Sequence, residues 1–304
     1  MRTFRIRHET VYRYRSPVAL GEHRMVLRPR ESHDQRLTAY RLDVSPCPTA
    51  LHWSEDASGN LIGSAHFGRR TRELGVIVTA TVEQTSFDDS PEIVIAQHAR
   101  MCPFSYGAEE MPDLARFIER QHPDPDHAVD RWARRILAED PGRSTWAFLV
   151  RVNSGIRRDF AYLRREEAGI QSPAATLKAG KGSCRDFAVL MCEAVRTQGL
   201  AARFVSGYLH VRSGDDRAYR AGGSTHAWLQ VYLPGGGWID FDPTSGMVGN
   251  RDLIRVAVVR DPAQASPLAG TFLGFPSDFV GMSVDVGVTS GEDDARKAAA
   301  SVAA

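Results

Sequence analysis

Three side chains, distant in the sequence, could together carry nucleophilic chemistry: Cys184, His226 and Asp242. A thiolate attacks carbonyl carbon, an imidazole titrates in the range needed to generate it, and a carboxylate fixes the ring by accepting from its far nitrogen. The cysteine has the most informative setting. In Gly180-Lys181-Gly182-Ser183-Cys184-Arg185-Asp186-Phe187, two glycines precede a good N-cap serine and Asp186 follows three positions later. This capping-box pattern makes Cys184 the first residue of a helix. Its sulfur would then lie beside unpaired backbone N–H groups and the positive end of the helix dipole, which favour thiolate. The dipole supplies about 0.3–1 kcal/mol, less than one pKa unit at ~1.4 kcal/mol, so a histidine partner is required. The competing reading is a small buried hydrophobe, the common fate of a free cysteine. Cys192, mid-helix and without such framing, takes that reading.

The base sits on a strand. Residues 224–233 alternate, with His226, Trp228, Gln230 and Tyr232 on one face. Pro234-Gly235-Gly236-Gly237 is a turn, and Trp238 to Asp242 is the return strand, ended by Pro243. A turn of three or five residues puts His226 and Asp242 on the same face, opposite or diagonal, within roughly 5–8 Å. A four-residue turn without a bulge separates them. The register is open at this stage, and Asp240 is the spare orienter.

No cofactor or metal is expected. The cysteines form no CxxC pair, three scattered ligands are a poor metal set, and Gly182 stands where a P-loop needs Ser or Thr.

The elements that position these residues change character along the chain. Residues 1 to 87 carry short alternating segments, such as Thr3 to Arg7, Val11 to Tyr14 and Leu37 to Val44, with turns such as Asp56 to Asn60. They predict an N-terminal β-sandwich domain. The composition turns loop-like from Asp88 to Pro91. Helical spacing then appears over Met111 to Gln121, Asp126 to Ala138, Ser144 to Arg157 and Cys184 to Gln198. Strands follow at Ala202 to Val211, Ser224 to Leu233, Trp238 to Asp242, Leu253 to Val259 and Met282 to Val288. The fold class is α+β: the sandwich, then a catalytic core over 88–289 with helices packed on an antiparallel sheet, then a disordered tail over 290–304.

Bulk properties narrow the function classes. With 38 Lys and Arg against 37 Asp and Glu, the net charge of +1 gives no field for nucleic acid or an anionic membrane. The early arginines, such as Arg28, Arg30, Arg69 and Arg70, read as solvated surface. No apolar run reaches membrane-spanning or signal-peptide length, and four cysteines in 304 residues make no disulfide framework. A cytoplasmic location is the expectation.

Taken together, Gly182 to Phe187, Gly199 to Tyr208, His226-Ala227-Trp228 and Trp238 to Thr244 resemble the core of bacterial transglutaminase-like proteins. His8 to Tyr14, Leu27 to Arg30 and Asp56 to Asn60 resemble the β-rich region that precedes that core in one bacterial branch. The resemblance covers most of the chain. It implies a papain-like core with Cys184 as nucleophile, His226 as base and Asp242 as orienter. It also implies cysteine-dependent acyl transfer on a peptide or protein amide through a thioester, with peptidase or amidase activity first. Protein-glutamine transamidation is the alternative within that chemistry, and a non-catalytic binding module the alternative outside it. The Cys184 N–H would supply one oxyanion donor. Tyr162 is the candidate for the second, an ordinary core aromatic being the competing reading. Arg185, where Gln is frequent, and Ala201, where Pro is usual, depart from the pattern and bear on substrate preference. The N-terminal domain is left free to contact a partner.

Overall fold

The computed structural model describes residues 1–85, 94–165, 169–211 and 223–291. The expected linker at Asp88 to Pro91 lies outside them, as does the tail beyond Gly291.

The N-terminal region is built on one very long strand, β1 (Arg2–Met25), where the sequence shows separate alternating segments. Its first half pairs with β5 (Arg70–Gln84), which pairs onward with β2 (Gln35–Ser45). Its second half pairs with β4 (Leu61–His66), which pairs with β3 (Ala50–Glu55). The pairing with β5 shifts register between Arg13 and Val18, around Pro17, which has no N–H to give a ladder. The two layers of the expected sandwich are therefore one continuous sheet that curls on itself. Tyr40 of β2 meets Trp53 of β3 edge-on, ring centroids 6.0 Å apart.

Helices follow the sheet: α1 (Met111–Ile118), α2 (Ala128–Ala138) and α3 (Thr145–Asp159). A short parallel pair, β6 (Ala161–Tyr162) and β7 (Lys181–Gly182), brackets α4 (Pro173–Ala179), a helix the apolar spacing does not reveal. Next comes α5 (Cys184–Arg196), whose interior is buried almost throughout. The core sheet has the order β11-β10-β9-β8-β12. Its strands are β8 (Ala202–Leu209), β9 (His226–Leu233), β10 (Gly237–Asp242), β11 (Met247–Val248) and β12 (Leu253–Val259). Phe187, Leu190 and Met191 of α5 share a core with Leu229 and Val231 of β9 and Phe241 of β10. The result is a helix on an antiparallel sheet.

The C-terminal strands depart from the expected division. β13 (Leu268–Leu273) and β14 (Phe279–Ser290) leave the core sheet and pair with β1. Grouping 88–289 as one core thus splits the first sheet, and Ser290, assigned to the tail, closes β14 opposite Phe4. The reason is edge satisfaction: β14 supplies the partner that the free side of β1 lacks.

The other join is made by side-chain amides. β12 is an edge strand, so one row of its backbone groups has no ladder partner. Gln35 accepts from Arg255 N–H and donates to its carbonyl, both at 2.9 Å. Asn60 does the same to Val258, at 2.9 and 2.8 Å, and Gln84 donates to the Leu253 carbonyl at 2.7 Å. All three are buried. They stand in for a sixth strand and fasten the N-terminal region to the edge of the core sheet.

Candidate active site

Cys184 opens α5, as the glycine-framed cap requires. The cap differs in detail from the simplest capping box. Asp186 Oδ2 accepts from the Ser183 N–H and also from its hydroxyl, both at 2.8 Å. Its other oxygen takes the Gln171 N–H at 2.6 Å, and Arg165 contacts both oxygens at 3.2 Å. Asp186 is fully buried, so this carboxylate anchors the segment before α4 to the helix that carries the cysteine.

The turn between β9 and β10 has three residues, Pro234, Gly235 and Gly236, since Leu233 pairs with Gly237. Gly235 is required there: its φ is +87°, and a Cβ would lie 2.6 Å from the Val94 carbonyl. This register pairs Leu229 with Phe241 and puts His226 diagonal to Asp242 on the same face. The His226 Nε2–H donates to Asp242 Oδ2 at 2.9 Å. Asp242 is also held by the Ser245 hydroxyl at 2.6 Å and the Thr244 N–H at 2.9 Å, an Asx-turn that follows from Asp-Pro-Thr-Ser. Asp240, the spare orienter, is engaged elsewhere: it accepts from Trp228 Nε1–H at 2.7 Å and from Arg255 at 2.9 Å.

His226 and Asp242 are both buried. Burial alone would lower the imidazole pKa. The Asp242 carboxylate and Cys184 outweigh it and push the ring up to about 10. For Asp242, burial opposes ionisation, but His226, Ser245 and the Thr244 N–H hold it below the usual carboxylate range. With Asp242 ionised, Nε2 keeps its proton against that carboxylate, and Nδ1 is the nitrogen left for another partner. Nδ1 has no well-formed hydrogen bond among the described residues, although Cys184 is close enough to stabilise the charged ring.

Tyr162 enters this site by backbone pairing. It lies opposite Gly182, two residues before the cysteine, and the Leu163 N–H donates to the Gly182 carbonyl at 2.8 Å. Burial and Cys184 both raise its phenol pKa, against Arg164 and Arg185, so it keeps its proton. Its ring also meets Phe187 edge-on at 6.4 Å. By contrast Cys192 is fully buried in the middle of α5, and burial lifts its thiol to about 12. Among the described residues no group of three or more His, Cys, Asp or Glu is placed to hold a metal ion.

Of two further contributors, one was legible only as sharing a strand face with His226 and the other not at all. The Trp228 indole stacks on His226, centroids 6.0 Å apart and planes at 23°. Gly207, opposite His226 in the ladder, makes room for that indole, because a Cβ there would come within 2.7 Å of the Trp228 ring. The alternation in residues 224–233 signals the shared face of His226 and Trp228, but nothing local signals the glycine.

Residues 4–83 match the model of the bacterial transglutaminase-like N-terminal region, and residues 130–243 that of the transglutaminase-like superfamily. An uncharacterized protein of Mycobacterium tuberculosis is 30% identical over 297 residues, which is 93% of this chain and 92% of that one. The chain belongs to the transglutaminase-like superfamily. That superfamily includes cysteine-dependent acyltransferases and peptidases. A protein of Mycobacterium leprae is 26% identical over 274 residues, 89% of this chain and 93% of that one. The fold is shared with a candidate cysteine protease from Cytophaga hutchinsonii, with a TM-score of 0.70 at 20% identity over 95% of this chain and 91% of that one. In this superfamily member the core strands and the N-terminal sheet fall within one matched length.

Among the described residues no helix is long and apolar enough to cross a membrane.

Proposed function

We propose that the protein catalyses cysteine-dependent acyl transfer on peptide or protein amides, with Cys184 as nucleophile, His226 as general base and acid, and Asp242 as orienter. The observation that carries this reading is the imidazole itself: Nε2 is fixed on Asp242 at 2.9 Å, and Nδ1 is left for the cysteine at the head of α5.

In the first step Nδ1 takes the Cys184 proton and the sulfur bonds to the amide carbonyl carbon. The carbonyl π pair moves to oxygen. The Cys184 N–H, one of the amides that a helix start leaves without an intrahelical partner, donates to that oxyanion. Tyr162, kept protonated beside Cys184, is the second donor. Collapse breaks the C–N bond, and the imidazolium Nδ1–H protonates the leaving amine. In the second step Nδ1 takes a proton from water, the hydroxide adds to the thioester carbonyl, and the thiolate leaves to regain the proton. Hydrolysis is placed first, in line with the candidate cysteine protease that shares this fold. Transamidation uses the same residues with an amine in place of water.

One assay separates these readings: a peptide and glutaminyl substrate panel, scored for free acid release and for incorporation of a labelled amine, beside Cys184→Ala. Acid release lost in the variant supports the peptidase or amidase reading. Amine incorporation above acid release reassigns the protein to transamidation. A binding module that keeps the fold without chemistry gives neither product while still capturing a peptide.

A further inference from the structure

The N-terminal sheet is far from the proposed chemistry in sequence, yet a continuous buried path runs from it to the catalytic imidazole. The Trp228 indole lies over the His226 ring at 23°. Its Nε1–H donates to Asp240 at 2.7 Å, and the other Asp240 oxygen accepts from Arg255 Nη1 at 2.9 Å. Arg255 Nη2 donates to Asp34 and to the Ser32 hydroxyl, the latter at 3.0 Å. Asp34 and Ser32 belong to the segment between β1 and β2. Asp34, Arg255, Asp240, Trp228 and His226 are all buried. Such a network admits few alternative arrangements, because a broken link leaves a charge or donor unpaired in low dielectric. Against the outward pull of burial, Arg255 holds Asp34 ionised.

We infer that Asp34, Arg255, Asp240 and Trp228 are positioning residues for His226, so that the N-terminal region sets the orientation of the catalytic ring. Asp34 fixes the guanidinium, the guanidinium fixes Asp240, and Asp240 fixes the rotation of the indole. The indole face prevents the imidazole from tilting off the line between Asp242 and Cys184. The inference rests on the proposed role of His226 and explains why this core is fastened to a curled sheet by buried charge as well as by neutral amides.

The interface supplies its own control. Asn60 hooks the same strand β12 at Val258 with both amide atoms, and it does not touch Asp240 or Trp228 in any bond described above. Asn60→Ala loosens the join without breaking the path; Asp34→Asn and Trp228→Phe break the path at its two ends.

The test measures alkylation of Cys184 by iodoacetamide against pH in the full chain, site-resolved by peptide mass spectrometry with Cys192 as internal reference, alongside a thermal melt. The expected result is that Asp34→Asn and Trp228→Phe slow labelling near neutral pH by roughly threefold to tenfold, within the span for coupled members of a single network, with a shifted profile. Asn60→Ala lowers the melting temperature and leaves the profile in place. An unchanged profile in Trp228→Phe, or an equal shift in Asn60→Ala, overturns the inference while leaving the triad standing. If wild-type Cys184 labels no faster than Cys192, the triad reading itself fails and takes the positioning role with it. Should Asp34→Asn not fold, Trp228→Phe, which keeps an aromatic ring but removes the N–H together with one of the two fused rings of a fully buried indole, decides the Trp228–His226 link.

Discussion

Replacing Asp242 by Asn changes one charge and almost no volume, and its consequence can be worked from the bonds. Asp242 Oδ2 takes both the His226 Nε2–H and the Ser245 hydroxyl, while Oδ1 takes the Thr244 N–H. An asparagine that keeps its carbonyl on the Thr244 N–H places NH2 against His226. Two donors would then face each other, so the ring adopts the other tautomer, with Nε2 bare and the proton on Nδ1. That nitrogen can no longer accept from Cys184. The charge that holds the ring near 10 against burial is lost as well, so the ring is no longer held in its charged form beside the cysteine. A wrong tautomer in a comparable triad costs about 10⁴ in turnover, and the thiolate retains its helix-start stabilisation of about 0.3–1 kcal/mol. We therefore expect Asp242→Asn to slow Cys184 alkylation at neutral pH by roughly 10² and turnover by roughly 10³–10⁴. Site-resolved alkylation and kcat/KM measure the two. Retention of turnover within tenfold, with an unchanged alkylation profile, would show that Asp242 does not orient the ring and refute the reasoning.

Three further outcomes follow. Asn60→Ala leaves the buried Val258 N–H and C=O without partners, at about 1–3 kcal/mol for each; a destabilisation of roughly 2–6 kcal/mol should appear as a melting point some 3–9 °C lower, and a loss under 1 °C would mean that the amide hook is dispensable. Tyr162→Phe should lower kcat by about tenfold to a hundredfold with KM little changed, the signature of a donor used at the transition state; a rise in KM alone assigns the ring to substrate binding. Stability should also follow the buried ion pair: the raised His226 contributes fully below its unfolded pKa of about 6.5 and less as pH rises through about 10, whereas the depressed Asp242 contributes above its unfolded pKa of about 3.9 and less as acid protonates it. Thermal melts of wild type minus His226→Ala should thus differ most between about pH 4 and 6.5, and a difference that grows toward pH 9 contradicts the assignment.

Much of the core was readable because its signals are local. The glycines, Ser183 and Asp186 announce a helix start at Cys184, and the observed α5 (Cys184–Arg196) begins there. Alternation in 224–233 and Asp242-Pro243 bound the two strands, but parity depended on how many of residues 234–237 make the turn. Gly237 pairs with Leu233, and the close approach of Val94 that requires glycine at 235 is one that no neighbouring residue reveals. The N-terminal region was legible as strands and less so as a sheet. Thr3 to Arg7 and Val11 to Tyr14 read as separate segments, whereas the pairing of β14 along Phe4 to Tyr14 makes them one strand. That pairing joins residues some 270 apart, beyond the reach of periodicity. Asn60 read as a turn residue. Its partners, Val258 N–H and C=O, exist only once β12 is an edge.

The most direct test of the acyl-transfer reading is to expose the protein to an activated acyl ester, quench in acid and locate the acyl group by peptide mass spectrometry. A thioester should form on the peptide carrying Cys184, absent in Cys184→Ala and formed far more slowly in His226→Ala. Acyl groups spread over lysines and Cys47, with Cys184 unmodified while it remains folded, would contradict it.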